Sequence, residues 1–409
     1  MHQHDVEITG HLMDSGILSQ VLSDIRGYDG DYVITRIDIG HEAEDESHAV
    51  LSVSAEDDES LQRLLMRMQT RGVNMVDPGE ASVAVADMDG VFPDGFYSTT
   101  NLATRVRLGG QWHDVENPEM DCGLIVEGER IYTLPMADVR AGMQVVTGAA
   151  GIRVTVPLVD KSSEAFGFME SDVSSEKPQA VLVRQVADGM REAKDAGKKV
   201  LWVGGPGVVH TGAAPAMVAL VNAGFVDVLF AGNALATHDI EAALYGTSLG
   251  VDLAQGRGVE HGHEHHIRAI NTIRKEGSIQ AAVDNGVLTG GIMHALVTRG
   301  GEFVLVGSVR DDGPLPDVHT DVIEGQRAMR AKLTDVGFCL MVATMLHSVA
   351  TGNILPASVP LVCVDINPAT VTKLADRVSS QARGIVTDVG LFLEQLAGEL
   401  VEGYTTPRG

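Results

Sequence analysis

The segment Lys199–Ala243, KVLWVGGPGVVHTGAAPAMVALVNAGFVDVLFAGNALATHDIEAA, decides the fold. Val200–Val203 is a short apolar run, as expected of a strand buried on both faces. Gly204, Gly205 and Gly207 free the backbone to turn sharply, a helix follows through Pro215–Asn222, and Gly224 stops it. Val226–Phe230 repeats the apolar run, and Ala231-Gly232-Asn233 turns into a second helix carrying His238 and Asp239. In a parallel sheet both turns lie at carboxyl ends of strands. Open α/β sheets bind ligands there, and helix N-termini offer N–H groups to phosphate. GGPGVVHTG is not G-x-G-x-x-G, however, and a Gly-rich turn is also what any strand needs to meet a helix.

Working outward, residues 166–409 alternate helical patterns with the apolar runs VLWVG, VDVLF, FVLVGS, LVCVDI and GIVTDV, which predicts a doubly wound, mostly parallel sheet. The longest apolar run, Val336–Ala350, is short and contains His347, so it reads as a buried element and not a membrane span. Two strands end in carboxylates: one in Gly307, Ser308, Asp311 and Asp312, the other in Asp365, Ile366 and Asn367. Carboxylates at strand ends suit ribose hydroxyls, and each is equally an ordinary cap or turn residue. The run EHGHEHHIR places His261, His263, His265 and His266 together. Histidines two or four apart can share a metal, but no Cys is near and H-E-x-x-H is missing. An active-site lining or an exposed loop is the expectation, and no metal is assigned.

Toward the N-terminus, residues 1–89 read strand (VEITG), helix (Ile17–Ile25), strands (DYVITRIDIG, HAVLSVSA), helix (Ser60–Thr70), strand (ASVAVADM). This is the βαββαβ order of ferredoxin-like and ACT-like modules, with Leu61, Leu64, Leu65 and Met68 as the helix stripe facing the sheet. Residues 90–165 carry short β-like pieces between Gly turns, a small β-rich domain. Its polar clusters FYSTTN and ENPEMDC hold Asn101, Glu119 and Asp121, readable as turn chemistry or as substrate contacts. Asp160–Pro178 is a polar link.

With a net charge of −26, nucleic acid and anionic membranes are disfavoured as partners. Three cysteines without C-x-x-C spacing, and an N-terminus unlike a signal peptide, point to a reducing cytoplasm.

Two resemblances follow from these residues. The order GPGVVHTGA, VDVLFAGNALATHDIE, GSVRDDGPLPD, VCVDINP resembles the NAD-contacting layout of the deoxyhypusine synthase fold. It implicates Gly205, Thr211, Gly232, Asn233, Ser308, Asp311, Asp312 and Asp365, with Pro206, Gly207, Gly212, Gly307, Ile366 and Asn367 beside them, in holding NAD. That family's imine-forming lysine has no counterpart between Asp311 and Arg327. Nearly the whole chain, through GFYSTTN, ENPEMDC, VHTGA, AGNALATHDIE, GTSLGVDL, GSVRDDGPLPDV, ATMLHS, VCVDINP and GIVTDVG, resembles the lysine-oxoglutarate reductase/saccharopine dehydrogenase (LOR/SDH) conserved-region family. That family includes archaeal-type ornithine cyclodeaminases and the C-terminal half of cyanobacterial bifunctional arginine dihydrolase/ornithine cyclodeaminases. The resemblance implies conversion of ornithine to proline and ammonia with catalytic NAD⁺, in a homo-oligomer (dimer or tetramer). Without a dihydrolase half, arginine is not expected as a substrate. Acid/base work falls to Asp239 and His238 with Asn233, and substrate contact to Asn101, Glu119, Asp121 and His265. The rival readings are a net NAD(P)-dependent amino-acid or opine dehydrogenase and an amino-acid-sensing regulatory protein.

Overall fold

A computed structural model describes residues 2–10, 12, 16–40, 45–156, 173–174, 179–248, 251–252, 264–311, 313–377 and 382–405. Asp312, His261, His263 and most of the polar link lie outside them. The chain forms two compact units, residues 1–163 with 353–358, and residues 164–352 with 359–409.

The first unit opens with β1 (His2–Gly10), α1 (Ile17–Gly27), β2 (Asp31–Asp38), β3 (Ser47–Ala55), α2 (Asp58–Gln69) and β4 (Asn74–Met75). They form an antiparallel sheet of order β2-β3-β1-β4, the split βαβ arrangement. Helix α2 starts where Asp57 accepts the Ser60 N–H (2.8 Å), and its stripe Leu61, Leu64, Leu65 and Met68 is buried as expected. The expected fourth strand, ASVAVADM, does not close this sheet. Its core, β5 (Ser82–Val85), instead pairs with β10 (below), and the two-residue β4 takes the closing place.

The second sheet comprises β5, β6 (Ala103–Leu108), β7 (Gln111–Glu116), β8 (Gly123–Glu127), β9 (Arg130–Leu134), β10 (Gln144–Thr147) and β11 (Ile152–Thr155), in the order β11-β6-β7-β9-β8-β10-β5. Gln69 from α2 donates to the carbonyls of Ala149 and Ile152 (3.1 and 3.2 Å), and Ala149 joins the first sheet's core, so the expected boundary at 89/90 falls inside one unit.

In the second unit follow β12 (Val173–Ser174), α3 (Gln179–Asp195), β13 (Lys199–Gly204), α4 (Gly207–His210), α5 (Ala214–Asn222), β14 (Val228–Gly232), α6 (Asn233–Tyr245), β15 (Thr247–Ser248) and β16 (Val251–Asp252). The chain continues through α7 (His265–Glu276), α8 (Ile279–Asp284), α9 (Gly291–Arg299), β17 (Glu302–Val306), β18 (Val318–His319), α10 (Val322–Arg330), β19 (Val336–Val342), α11 (Leu346–Ile354), β20 (Leu361–Asp365), α12 (Pro368–Arg377), β21 (Ala382–Val386) and α13 (Val389–Leu400). The eight described strands of its sheet are parallel, in the order β12-β21-β20-β19-β13-β14-β17-β18. Trp202, Leu229, Leu340 and Phe392 are fully buried in its core, as a sheet covered on both faces requires. The first half of the apolar run Val336–Ala350 is buried as expected: β19 is a central strand beside β13, and α11 follows it. From β13 the chain moves outward through β14, β17 and β18, then returns to β19 on the other side. The direction of winding reverses between β13 and β19, and the crevice at their carboxyl ends is where such sheets take ligands. Among the described residues no helix is long and apolar enough to cross a membrane.

Candidate active site

The switch point is built by contact between two turns. The Gly205 N–H donates to Val342 O (2.9 Å), and a Cβ on Gly205 would stand 1.9 Å from the Ala343 carbonyl oxygen. Ala343 holds φ +53°, left-handed backbone that a non-glycine residue adopts at an energetic cost, and a Cβ on Gly207 would stand 2.9 Å from its methyl. The next two strands also end in glycine, each under a neighbouring side chain. A Cβ on Gly232 would press on the His347 ring at 3.3 Å, and one on Gly307 would meet the Asp311 carboxylate at 3.1 Å. Glycine at these positions lets an imidazole and a carboxylate lie directly over the ends of β14 and β17. Burial pushes the His347 imidazole below its usual pKa, against the opposing pull of the Val306 carbonyl and Asp311.

Helix α6 begins at the end of β14 with Gly232 as its N-cap, a residue with no side chain to cap the first turn, so its N-terminal amides suit an anionic group. Asn233 faces inward: its Oδ1 accepts from Leu315 N–H (3.0 Å) and Thr237 Oγ1 (3.3 Å), tying down the loop that follows β17. Two neighbouring residues on α6 then take different tasks. Asp239 is 1 % exposed and faces α9, whose first amides it caps: Oδ1 accepts from Ile292 N–H (2.7 Å), Oδ2 from Met293 N–H (2.8 Å). Each of its oxygens thus accepts one amide at the start of α9, a structural task beside the acid/base role expected of Asp239.

Replacing Asp239 with Ala orphans these amides and is expected to lower stability by about 2–3 kcal/mol in urea unfolding. Burial outweighs the two amide bonds and raises its carboxyl from 3.8 to about 6. A folded-state pKa raised in an acid contributes stability that is complete below pH 3.8 and lost as the pH rises through 6. The advantage of wild type over the variant should thus be larger at pH 5 than at pH 8.

His238 faces the opposite way. Its Nδ1 lies 2.9 Å from Oε2 of Glu241, one helical turn on and fully buried. The His238 ring packs edge-on against His210 from α4 (centroids 4.9 Å) and lies 6.4 Å from His266. Partial burial, followed by the neighbouring His238, lowers the His210 pKa and favours its neutral form, Glu241 pulling the other way. The second Glu241 oxygen accepts from Thr247 Oγ1 (2.9 Å), and that hydroxyl lies 2.8 Å from Nδ1 of His265, whose ring stacks on Tyr245 (5.0 Å). Among the described residues no group of His, Cys, Asp and Glu is arranged to hold a metal ion.

Of the other expected cofactor residues, Asp311 accepts from its own turn, from Ser308 N–H (2.8 Å). Asp365 accepts from Asn367 N–H (2.8 Å), Asn367 from Ala369 N–H (3.0 Å), and Ile366 is exposed, so these three shape the entry to α12. Thr211, Gly212 and Pro206 flank the short α4. The expected substrate residues of the first unit gather around residues 353–358. Asn101, fully buried, donates to Leu355 O (3.0 Å), its own carbonyl accepts from Ala357 N–H (2.8 Å), and Asp121, at φ +59°, lies 3.4 Å from Asn353 Nδ2. Glu119 is buried, and its carbonyl accepts from Thr99 Oγ1 (2.5 Å). Sequence reasoning missed Glu241 and Thr247 and gave no role to His210 and His347. Only the i, i+3 spacing of His238 and Glu241 could have revealed the first.

These features define a class, the Rossmann-fold proteins, here with an imidazole–carboxylate cluster on the helix that follows β14. Residues 184–396 match the family model described as the Rossmann-fold region of the arginine dihydrolase ArgZ-like C-terminal part, and residues 103–183 match its first region. Residues 3–102 match the LOR/SDH bifunctional enzyme conserved region. The ornithine cyclodeaminase of Methanothermobacter thermautotrophicus is 50 % identical over 98 % of both chains. The bifunctional arginine dihydrolase/ornithine cyclodeaminase AgrE of Nostoc sp. is 41 % identical over 98 % of this chain and 58 % of that one. Among solved structures, apo ArgZ, a cyanobacterial arginine dihydrolase, superposes with TM-score 0.84 (34 % identity, 98 % of this chain, 58 % of that one). AgrE in ternary complex with ornithine and NAD⁺ gives 0.53 (40 % identity, 98 % and 57 %). The chain belongs to the ornithine cyclodeaminase family of ArgZ-like, LOR/SDH-region proteins.

Proposed function

We propose that the crevice converts L-ornithine to L-proline and ammonia with NAD⁺ restored at every turnover. The carrying observation is His238, held by buried Glu241 on the helix that starts at Gly232, the glycine end of β14. Features that suit a dinucleotide are the glycines Gly205, Gly232 and Gly307 at three neighbouring strand ends, with His347 and Asp311 lying over the last two, and the N-terminal amides of α6. The AgrE relative, crystallised with ornithine and NAD⁺ together, supports the pairing of substrate and cofactor. Bound there, NAD⁺ supplies a reversible two-electron acceptor for the substrate α-carbon, so the net reaction is redox-neutral.

The chain's own task is proton handling. Ornithine enters with two ammonium groups and a carboxylate; proline zwitterion and ammonium leave with the same number of protons. The site must therefore store protons and return them, with no net exchange with solvent. Glu241 fixes the His238 Nδ1–H and leaves Nε2 to take a proton from substrate and give it back to departing ammonia. His210, held toward neutrality, keeps a second uncharged imidazole against that ring. Asn233 and Asp239 hold the frame: Asn233 the loop after β17, Asp239 the start of α9. The same reading gives the N-terminal module an ACT-like character, supported by its split βαβ order, and the second unit a deoxyhypusine synthase-like NAD layout. On the same reading the protein works as a homo-oligomer, dimer or tetramer, in the cytoplasm.

Incubation with L-ornithine and substoichiometric NAD⁺ should yield proline and ammonia in equal amounts, far beyond the NAD⁺ supplied and without accumulating NADH. NADH rising with product would make the protein a net dehydrogenase, and ligand binding without turnover a sensor.

A further inference from the structure

The chain His238–Glu241–Thr247–His265 constrains more than one imidazole. A carboxylate only accepts, so His238 donates through Nδ1 to Oε2 (2.9 Å). Thr247 has one hydroxyl proton and spends it on Oε1 (2.9 Å), so its oxygen can only accept along the 2.8 Å contact with His265. His265 must then also carry its proton on Nδ1. Both rings present an unprotonated Nε2, and one buried carboxylate sets both, directly in one case and through a hydroxyl in the other. A carboxylate or hydroxyl that accepts from one ring nitrogen fixes the tautomer and leaves the other nitrogen to accept.

We propose that Glu241 and Thr247 are positioning residues that make His238 and His265 a matched pair of proton acceptors, one for each amine of a diamino acid substrate. This rests on the ornithine reading above and extends it. The α-amine must be neutral for the α-carbon to be oxidised, and the δ-amine must be neutral to attack it, so two protons have to be held at once. Both return when ammonium and the proline zwitterion leave.

The test is imidazole ¹⁵N NMR on the protein alone, with rings assigned through His238→Gln and His265→Gln, read beside turnover. Wild type should show Nδ1–H with bare Nε2 for both rings. Thr247→Val, nearly isosteric, should release His265 from that tautomer and lower kcat for ornithine at least about tenfold with KM little changed. Thr247→Ser should restore both signals and rate. Wild-type His265 protonated on Nε2, or Thr247→Val with unaltered tautomer and rate, overturns the proposal. Should Thr247→Val misfold, the wild-type spectrum and Thr247→Ser still decide it. Failure of the ornithine reading itself would appear separately, as wild type making no proline.

Discussion

His238→Gln is expected to reduce proline formation by about 10²–10⁴-fold, the range of a lost general acid–base group, while NAD binding stays within a few-fold of wild type. Glutamine can still donate an N–H to Glu241 and fill most of the ring's space between His210 and His266, so the buried carboxylate keeps a partner. What it cannot do is accept and return a proton near neutral pH. Thermal unfolding should therefore move little while kcat collapses, a separation that a packing defect would not give. Steady-state proline formation beside a calorimetric NAD titration checks both halves. Turnover within threefold of wild type would remove His238 from the chemistry and leave His210, His265 and His347 as the imidazoles to test.

Gly205→Ala is expected to act through the opposite route, losing the cofactor and the fold together. The added methyl would stand 1.9 Å from the Ala343 carbonyl oxygen and about 3.0 Å from the Thr344 side chain, and the first obstacle is backbone that cannot rotate away. The strands carrying the two turns are locked in register from Lys199–Val336 to Gly204–Val342, so relief requires prising them apart at the switch point. Overpacking against backbone at such a junction should cost about 3 kcal/mol or more. For the second unit, residues 164–352 with 359–409, unfolding by itself, that corresponds to a fall in Tm of roughly 6–12 °C. NAD should no longer stabilise the variant, because the displaced turn is the one that frames the crevice. A variant with wild-type Tm that is still stabilised by NAD would show that the two turns do not need this closeness.

Much of this was legible in the sequence wherever the signal was local. The β13–α5 and β14–α6 units, the stop at Gly224, the glycines at strand ends and the stripe of α2 follow from runs, turns and caps within about ten residues of each other. What escaped depends on long-range partners. Val336–Val342 is uniformly apolar, and such a run is the same for a buried strand and a buried helix segment until its neighbours are known. Ser82–Val85 alternates too weakly to say which of two sheets it joins. His238 and Asp239 are adjacent in sequence but point to different sides of α6; which side holds the crevice and which holds α9 is a fact of packing. The link from Glu241 through Thr247 to His265 crosses 18 positions from Thr247 to His265, beyond any helical spacing.

The return of residues 353–358 to the first unit carries a consequence for how the protein is made. Asn101 finds acceptor and donor on Leu355 and Ala357, Met120 N–H donates to Asn353 O, and Ala357 sits in the same apolar cluster as Leu102 and Val106. The first unit is thus not a segment that can be cut from the gene after Ser163 and expected to stand alone. During synthesis its interior must wait, open at Asn101, until residues 164–352 of the second unit have left the ribosome. The last piece of the part made first arrives near the end of translation, so the two units are coupled in time as well as by sequence.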